Sequence, residues 1–124
     1  MGLFLKDIIL KGKTALVTGA TKGIGRGTAI ALAQAGANII AVGRNQTELD
    51  SLQKIIKKLK VKYHSFNCDV NDFELMKKYI SKIKKLDVLV NNAGTNIPEP
   101  FLNVKKSSVE TILNVNTKAV FNVA

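Results

Sequence analysis

Thr14-Ala-Leu-Val-Thr-Gly-Ala-Thr-Lys-Gly-Ile-Gly-Arg26 joins a short apolar run to a glycine turn, and the turn to a helix. Ala15, Leu16 and Val17 suit a central parallel strand, which is buried on both faces and so reads as a continuous apolar run. Gly19, Gly23 and Gly25 follow at the spacing GxxxGxG. Gly19 is placed to take the positive φ of a tight turn, Gly23 to let the backbone approach a pyrophosphate, and Gly25 to let the new helix pack closely on the strand. The unpaired N–H groups and positive dipole end of that helix then face the anion. A glycine cluster alone is weak evidence, but a strand before it and a helix after it specify a dinucleotide site. Gly19, Thr21, Lys22, Gly23, Ile24 and Gly25 are its candidate residues.

Working outward, Ile24, Thr28, Ala31, Leu32 and Ala35 recur at helical spacing, and Gly36 is placed to end the helix. Asn38-Ile-Ile-Ala-Val-Gly43 is a second apolar strand, which completes a βαβ unit. In the NAD-binding version of this unit an acidic residue about 20 positions beyond the glycines holds the ribose 2′-OH. Here that region supplies Gly43 and Arg44. A carboxylate repels a 2′-phosphate, whereas a guanidinium makes charge-assisted bonds to it, so Arg44 points to NADP(H). Lys22, inside the glycine turn, adds a second positive charge. The competing reading is that Lys22 and Arg44 are solvated surface charges.

Further along, Asn45-Gln-Thr-Glu48 has an N-cap residue with an acid three positions later, and Leu49, Leu52, Ile56 and Leu59 share one helical face. Val61 to Phe66 is expected to be the third strand. Asn71-Asp-Phe-Glu74 repeats the capping pattern, followed by Phe73, Met76, Ile80 and Ile83 at helical spacing. Such stripes are core faces, not ligand boxes. Leu86-Asp-Val-Leu-Val90 is the expected fourth strand, and it runs into Asn91-Asn-Ala-Gly94. In an open α/β sheet ligands sit outside the carboxyl ends of the strands, where this loop belongs; by itself it would read as a plain connection. Ser107-Ser-Val-Glu110 resembles a capping box opening a last helix, whose stripe is Val109, Ile112, Leu113, Val120 and Val123. Asn116 falls on the same face. A buried amide needs partners, so it either bonds a neighbouring loop or has a functional role.

Thr18-Gly-Ala-Thr-Lys-Gly-Ile-Gly25 together with Asn91-Asn-Ala-Gly94 resembles the paired signature of the short-chain dehydrogenases/reductases. Asp69, in Cys68-Asp-Val70, matches that family's aspartate at the adenine ring, and Asn116, in Asn114-Val-Asn-Thr117, matches the asparagine of its catalytic tetrad. The resemblance runs from Leu10 onward. Within the family, Lys22-Gly-Ile-Gly-Arg-Gly-Thr28 and Ala41-Val-Gly-Arg44 look most like the carbonyl and L-xylulose reductases, with the 3-oxoacyl-carrier-protein reductases close behind. It implies a Rossmann-type doubly wound parallel α/β sheet of strand order 3-2-1-4, forming a single dinucleotide-binding domain over residues 1–124. It also implies hydride transfer between the nicotinamide of NADP(H) and a carbonyl or secondary alcohol. Asp69, Val70, Asn92, Ala93 and Gly94 join Arg44 and the glycine-turn residues at the cofactor. Asn116 is the catalytic candidate, holding a water and a lysine in a proton relay. A homo-oligomer built through the last helix is also implied.

The family's chemistry needs a tyrosine with a lysine four residues later, because the phenol, whose unperturbed pKa is about 10, must give up a proton. The only tyrosines are Tyr63 and Tyr79, and four residues beyond them stand Asn67 and Ile83. The sequence therefore reads as the first half of a reductase, stopping before a fifth strand and inactive alone. The alternative is an NADP(H)-binding module or pseudoenzyme without catalysis. Left uncovered, the fourth strand would present an apolar edge prone to pairing with another chain.

An apolar content of 46% with 23% charged residues is ordinary for a globular α/β chain. The single cysteine, Cys68, forms no internal disulfide, and neither it nor His64 has a partner at metal-ligand spacing. The apolar stretch at Met1 to Ile8 is too short for a signal peptide, no span reaches membrane length, and a cytoplasmic location is expected. The net charge is +10, and lysines crowd the second and third helices. They alternate with the apolar stripes as a solvated face does. With few aromatics and no recognition motif, nucleic-acid binding is not expected. The charge instead helps to gather an anionic cofactor.

Overall fold

The computed structural model describes residues 9–94, 105–114 and 116. Four strands, β1 (Thr14–Thr18), β2 (Asn38–Gly43), β3 (Tyr63–Asn67) and β4 (Val88–Val90), form one parallel sheet in the order β3-β2-β1-β4. Helices α1 (Gly23–Gln34), α2 (Gln46–Lys57) and α3 (Phe73–Ile80) follow the first three strands, and α4 (Lys106–Leu113) follows β4. The alternation predicted from the sequence is therefore present in the predicted order.

Side chains on a strand alternate between faces, and here both faces are apolar. Ala15, Val17, Ile39 and Ala41 point to one side, against Ala29 and Ala33 of α1 and Leu49, Leu52 and Ile56 of α2. Leu16, Ile40 and Val42 point to the other, against Met76 of α3. That two-sided cover is why β1 and β2 carry almost uninterrupted apolar residues. Register brings the carboxyl ends together: Thr18 lies beside Val42, Val17 beside Val90, and Gly43 beside Asn67.

The helix ends follow from local chemistry. At the end of α1, Gly36 takes φ +101°, its N–H donates to the Ala33 carbonyl at 3.0 Å, and the Ala37 N–H donates to the Leu32 carbonyl at 3.0 Å. That double closure is a Schellman motif, with glycine at the position of positive φ. Asn45 caps α2 by accepting from the Glu48 N–H at 3.0 Å.

Several details differ from the expectation. The buried face of α1 is Gly25, Ala29 and Ala33, while Ile24 is 81% exposed and Ala31 is exposed. The smallest side chains face the sheet because the helix backbone approaches it closely, a choice that hydropathy alone does not register. Helix α3 is capped by Asp72, which accepts from the Leu75 N–H at 3.1 Å; Asn71 instead donates its N–H to Asp69. Phe73 thus becomes the first helical residue and lies half-exposed, and Tyr79 takes its place in the core, stacked on Phe66 at 4.5 Å. Strand β3 begins at Tyr63 and not Val61, and β4 begins at Val88, with Leu86 exposed. Helix α4 is entered from Lys105 without a side-chain cap, and Ser107 lies inside it. Val109 and Leu113 are exposed and Ser108 is buried; Val120 and Val123 lie outside the described residues.

Candidate functional site

All four strands end on the same edge, and the loops that leave them enclose a cleft of about 310 Å³. Gly19, Thr21 and Lys22 enter it from the turn after β1, and Gly43 and Arg44 from the end of β2. Asp69 and Val70 line it beyond β3, and Asn92, Ala93 and Gly94 beyond β4. Nine of the ten are residues that the sequence reading had assigned to a cofactor, Gly43 being the addition. The remaining three, Gly23, Ile24 and Gly25, form the first turn of α1.

Gly19 takes φ +62° and Gly23 φ +54°, the left-handed region in which a side chain is strained. A Cβ on Gly19 would sit 2.9 Å from Ala93 Cα, so the turn after β1 and the loop after β4 touch through bare backbone. At Gly25 a Cβ would strike the Gly19 carbonyl oxygen and the Asn92 side-chain nitrogen. Gly23 faces open space. Helix α1 has no acidic residue in its first turn, and Lys22 gives it no side-chain cap, so its leading N–H groups and dipole remain to meet an anion.

The two loops are latched by Thr18, whose role the sequence reading missed. Its hydroxyl is buried at the end of β1, accepts from the N–H groups of Asn92 and Ala93, each at 3.0 Å, and donates to the Val90 carbonyl at 3.4 Å. The Asn92 amide donates to the Gly19 carbonyl at 3.2 Å. A polar residue closing an otherwise apolar central strand was the signal available for it.

At the outer corner, a Cβ on Gly43 would lie 2.6 Å from the Thr21 methyl carbon, so a side chain there requires Thr21 to move. The next residue, Arg44, projects into solvent with a nitrogen 3.9 Å from Asp69 Oδ2. Lys22 Nζ lies 3.3 Å from Glu48 Oε1. Asn45 and Glu48 also line the cleft, two further residues that the sequence reading treated only as a helix cap. Cys68 lies in the wall, buried, with its thiol 3.1 Å from the Met76 sulfur. Burial, with the charges of Asp72 and Asp69 beside it, pushes the thiol up to about 11. It is a packing group and not a nucleophile.

Asn116 is exposed, contrary to its expected place on a core face. Its Oδ1 would lie 3.2 Å from a Cβ on Gly94, which places the amide beside the loop after β4. Neither tyrosine serves the cleft. Tyr63 donates its hydroxyl to the Leu49 carbonyl at 2.8 Å, and burial together with Asp50 pushes it up to about 12; Tyr79 is the partner of Phe66. Among the described residues no group of three or more His, Cys, Asp or Glu could hold a metal, and no helix is long and apolar enough to cross a membrane.

Comparison with known proteins agrees with this geometry. The family model described as short chain dehydrogenase matches residues 13–124. L-xylulose reductase of Mesocricetus auratus is 42% identical over 118 residues, which cover 95% of this chain and 47% of that protein. Among solved structures, L-sorbose reductase from Gluconobacter frateurii, complexed with NADPH and L-sorbose, superposes with a TM-score of 0.85 at 28% identity, covering 95% of this chain and 47% of that one. Carveol dehydrogenase from Mycobacterium avium, in complex with NAD, does so with a TM-score of 0.82 at 25% identity, covering 92% and 47%. The chain thus spans about half the length of the relatives it matches.

Proposed function

The chain belongs to the short chain dehydrogenase family, and from that premise we propose that it is the cofactor-binding half of an NADP(H)-dependent oxidoreductase acting on a carbonyl or secondary alcohol. The observation that carries the cofactor choice is the outer corner of the cleft. Position 43 carries no acid, the Thr21 methyl packs where its Cβ would stand, and Arg44 and Lys22 bring two cations to the same cleft. The turn Gly19 to Gly25 and the N-terminus of α1 hold the pyrophosphate, Asp69 and Val70 border the adenine, and Asn92, Ala93 and Gly94 line the path toward the reacting end. When bound, the nicotinamide supplies or accepts the hydride. Asn116, beside Gly94, is the residue of this stretch placed to orient a proton-relay water. The tyrosine and lysine that would exchange the proton are not among these 124 residues, so this stretch alone binds cofactor without catalysis. The relatives named for L-xylulose and L-sorbose reduction support a carbonyl substrate. Assembly into a homo-oligomer through the last helix is part of the same reading.

The test is a titration of the full-length protein and its Arg44→Asp variant with NADPH and NADH. Charge-assisted hydrogen bonds are worth roughly 1.5–3 kcal/mol each, so NADPH affinity should fall by about tenfold to a hundredfold while NADH affinity changes little. Equal weakening of both overturns the NADP(H) assignment.

A further inference from the structure

We propose that Glu48 is a specificity-determining residue that holds down the affinity of the corner for a 2′-phosphate by occupying Lys22; this rests on the NADP(H) reading. Glu48 is the third residue of α2, and its backbone N–H is already committed to the Asn45 side chain. An acid at that position gains from the helix dipole wherever its side chain points. Its carboxylate reaches across the cleft to Lys22, the residue before α1, at 3.3 Å. The side chain of Glu48 is only 28% exposed, whereas that of Lys22 is 78% exposed. The carboxylate is therefore the more buried partner and the lysine the more exposed one.

Charge balance gives the arrangement its consequence. The corner holds two cations, Lys22 and Arg44, and each has a carboxylate beside it, Glu48 and Asp69. The charges of the side chains that line the cleft thus sum to zero. A dianionic phosphate entering it must draw Lys22 away from Glu48 and then sit near a carboxylate that does not leave. A cofactor ending in a 2′-hydroxyl carries its charge on the pyrophosphate at the glycine turn and brings none to this corner through the ribose, so it meets less of either cost. Glu48 thus selects against the phosphorylated cofactor in a corner whose cations select for it, and sets the ratio of the two affinities. Exchanging its carboxylate for an amide of the same shape leaves one uncompensated positive charge.

The experiment measures NADPH and NADH affinity in the full-length protein for wild type, Glu48→Gln, Glu48→Asp and Arg44→Asp, at low and high salt, with the far-UV spectrum and cooperative melting confirming that each is folded. Glu48→Gln should tighten NADPH by about threefold to tenfold and leave NADH within about twofold, with the gain shrinking as salt rises. Glu48→Asp, which keeps the charge, should stay nearer wild type. In a Lys22→Met background the gain from Glu48→Gln should fall by at least about half, because the effect runs largely through the lysine. An unchanged NADPH-to-NADH ratio in Glu48→Gln, weaker NADPH binding, or an equal shift in Glu48→Asp overturns the proposal while Arg44→Asp still discriminates between cofactors. If Arg44→Asp weakens both cofactors equally, the underlying assignment falls and the proposal with it.

Discussion

Thr18 shows how a single hydroxyl can hold two functional loops. It receives two backbone N–H groups from the loop after β4 while being itself buried at the end of β1. Thr18→Val keeps the shape and leaves the Ala93 N–H without that acceptor, at a cost of about 1–3 kcal/mol, while the Asn92 N–H keeps the Val90 carbonyl at 3.1 Å. The variant should therefore lose about 1–3 kcal/mol in urea unfolding, while Thr18→Ser should lose less than half of that; equal losses would show that the methyl group and not the hydroxyl matters. Cys68 provides a second check. Because its thiol is held near 11, it is protonated at neutral pH. Alkylation by iodoacetamide in the folded protein should be negligible at about pH 8 and rise only as the pH approaches the shifted value, which an ordinary exposed thiol would pass near 8.5. Rapid labelling at neutral pH would contradict the buried geometry.

At the scale of elements, α1 illustrates which features a sequence exposes and which it conceals. Its start and end were legible because glycines at 19, 23 and 36 answer backbone demands that few other residues meet, and each takes a positive φ. Its buried face was not, because hydropathy ranks Ile24 above Gly25 while close packing on the sheet requires the reverse. Capping misled in the same way at α3: Asn71 and Asp72 are adjacent and chemically alike, and only the course of the chain after β3 decides that Asp72 caps. Most of the cleft-lining residues were legible because one topological rule sends ligands to the carboxyl ends of the strands. Glu48 was concealed because its partner, Lys22, belongs to another element. The Schellman closure of α1 gives a test at this level. Gly36→Ala places a Cβ 3.1 Å from the Lys11 backbone nitrogen at φ +101°. It should lose at least about 1–2 kcal/mol in denaturant unfolding, whereas Gly27→Ala, whose Cβ meets nothing within 4 Å, should be neutral or stabilising.

For the molecule as a whole, the sheet must hold β4 in register if the loops from opposite halves of the βαβαβ order are to meet. Strand β4 is three residues long, so its pairing with β1 needs support at the far end. Asp87 supplies it. The Thr14 N–H donates to Asp87 Oδ2 at 2.9 Å, the Asp87 N–H donates to the Thr14 carbonyl at 2.9 Å, and Lys85 Nζ lies 3.6 Å from the carboxylate. The backbone hydrogen bond from Thr14, followed by Lys85 and Lys13, holds the carboxyl below its ordinary value. A carboxyl depressed in the folded state binds its proton more readily once unfolded. Its contribution is therefore complete above the unfolded value, near 3.9, and is lost as pH falls through the folded one. Asp87→Asn keeps an acceptor oxygen for Thr14 but removes the charge. The gap in urea midpoint between wild type and this variant should stay constant between about pH 5 and 7 and close progressively below about pH 4. A gap that persists undiminished at about pH 2.5 would mean that the aspartate holds β4 by shape and not by charge. A gap that closes would locate an acid-sensitive contact of the fold at the junction of β1 and β4, at the end of the sheet opposite the cleft.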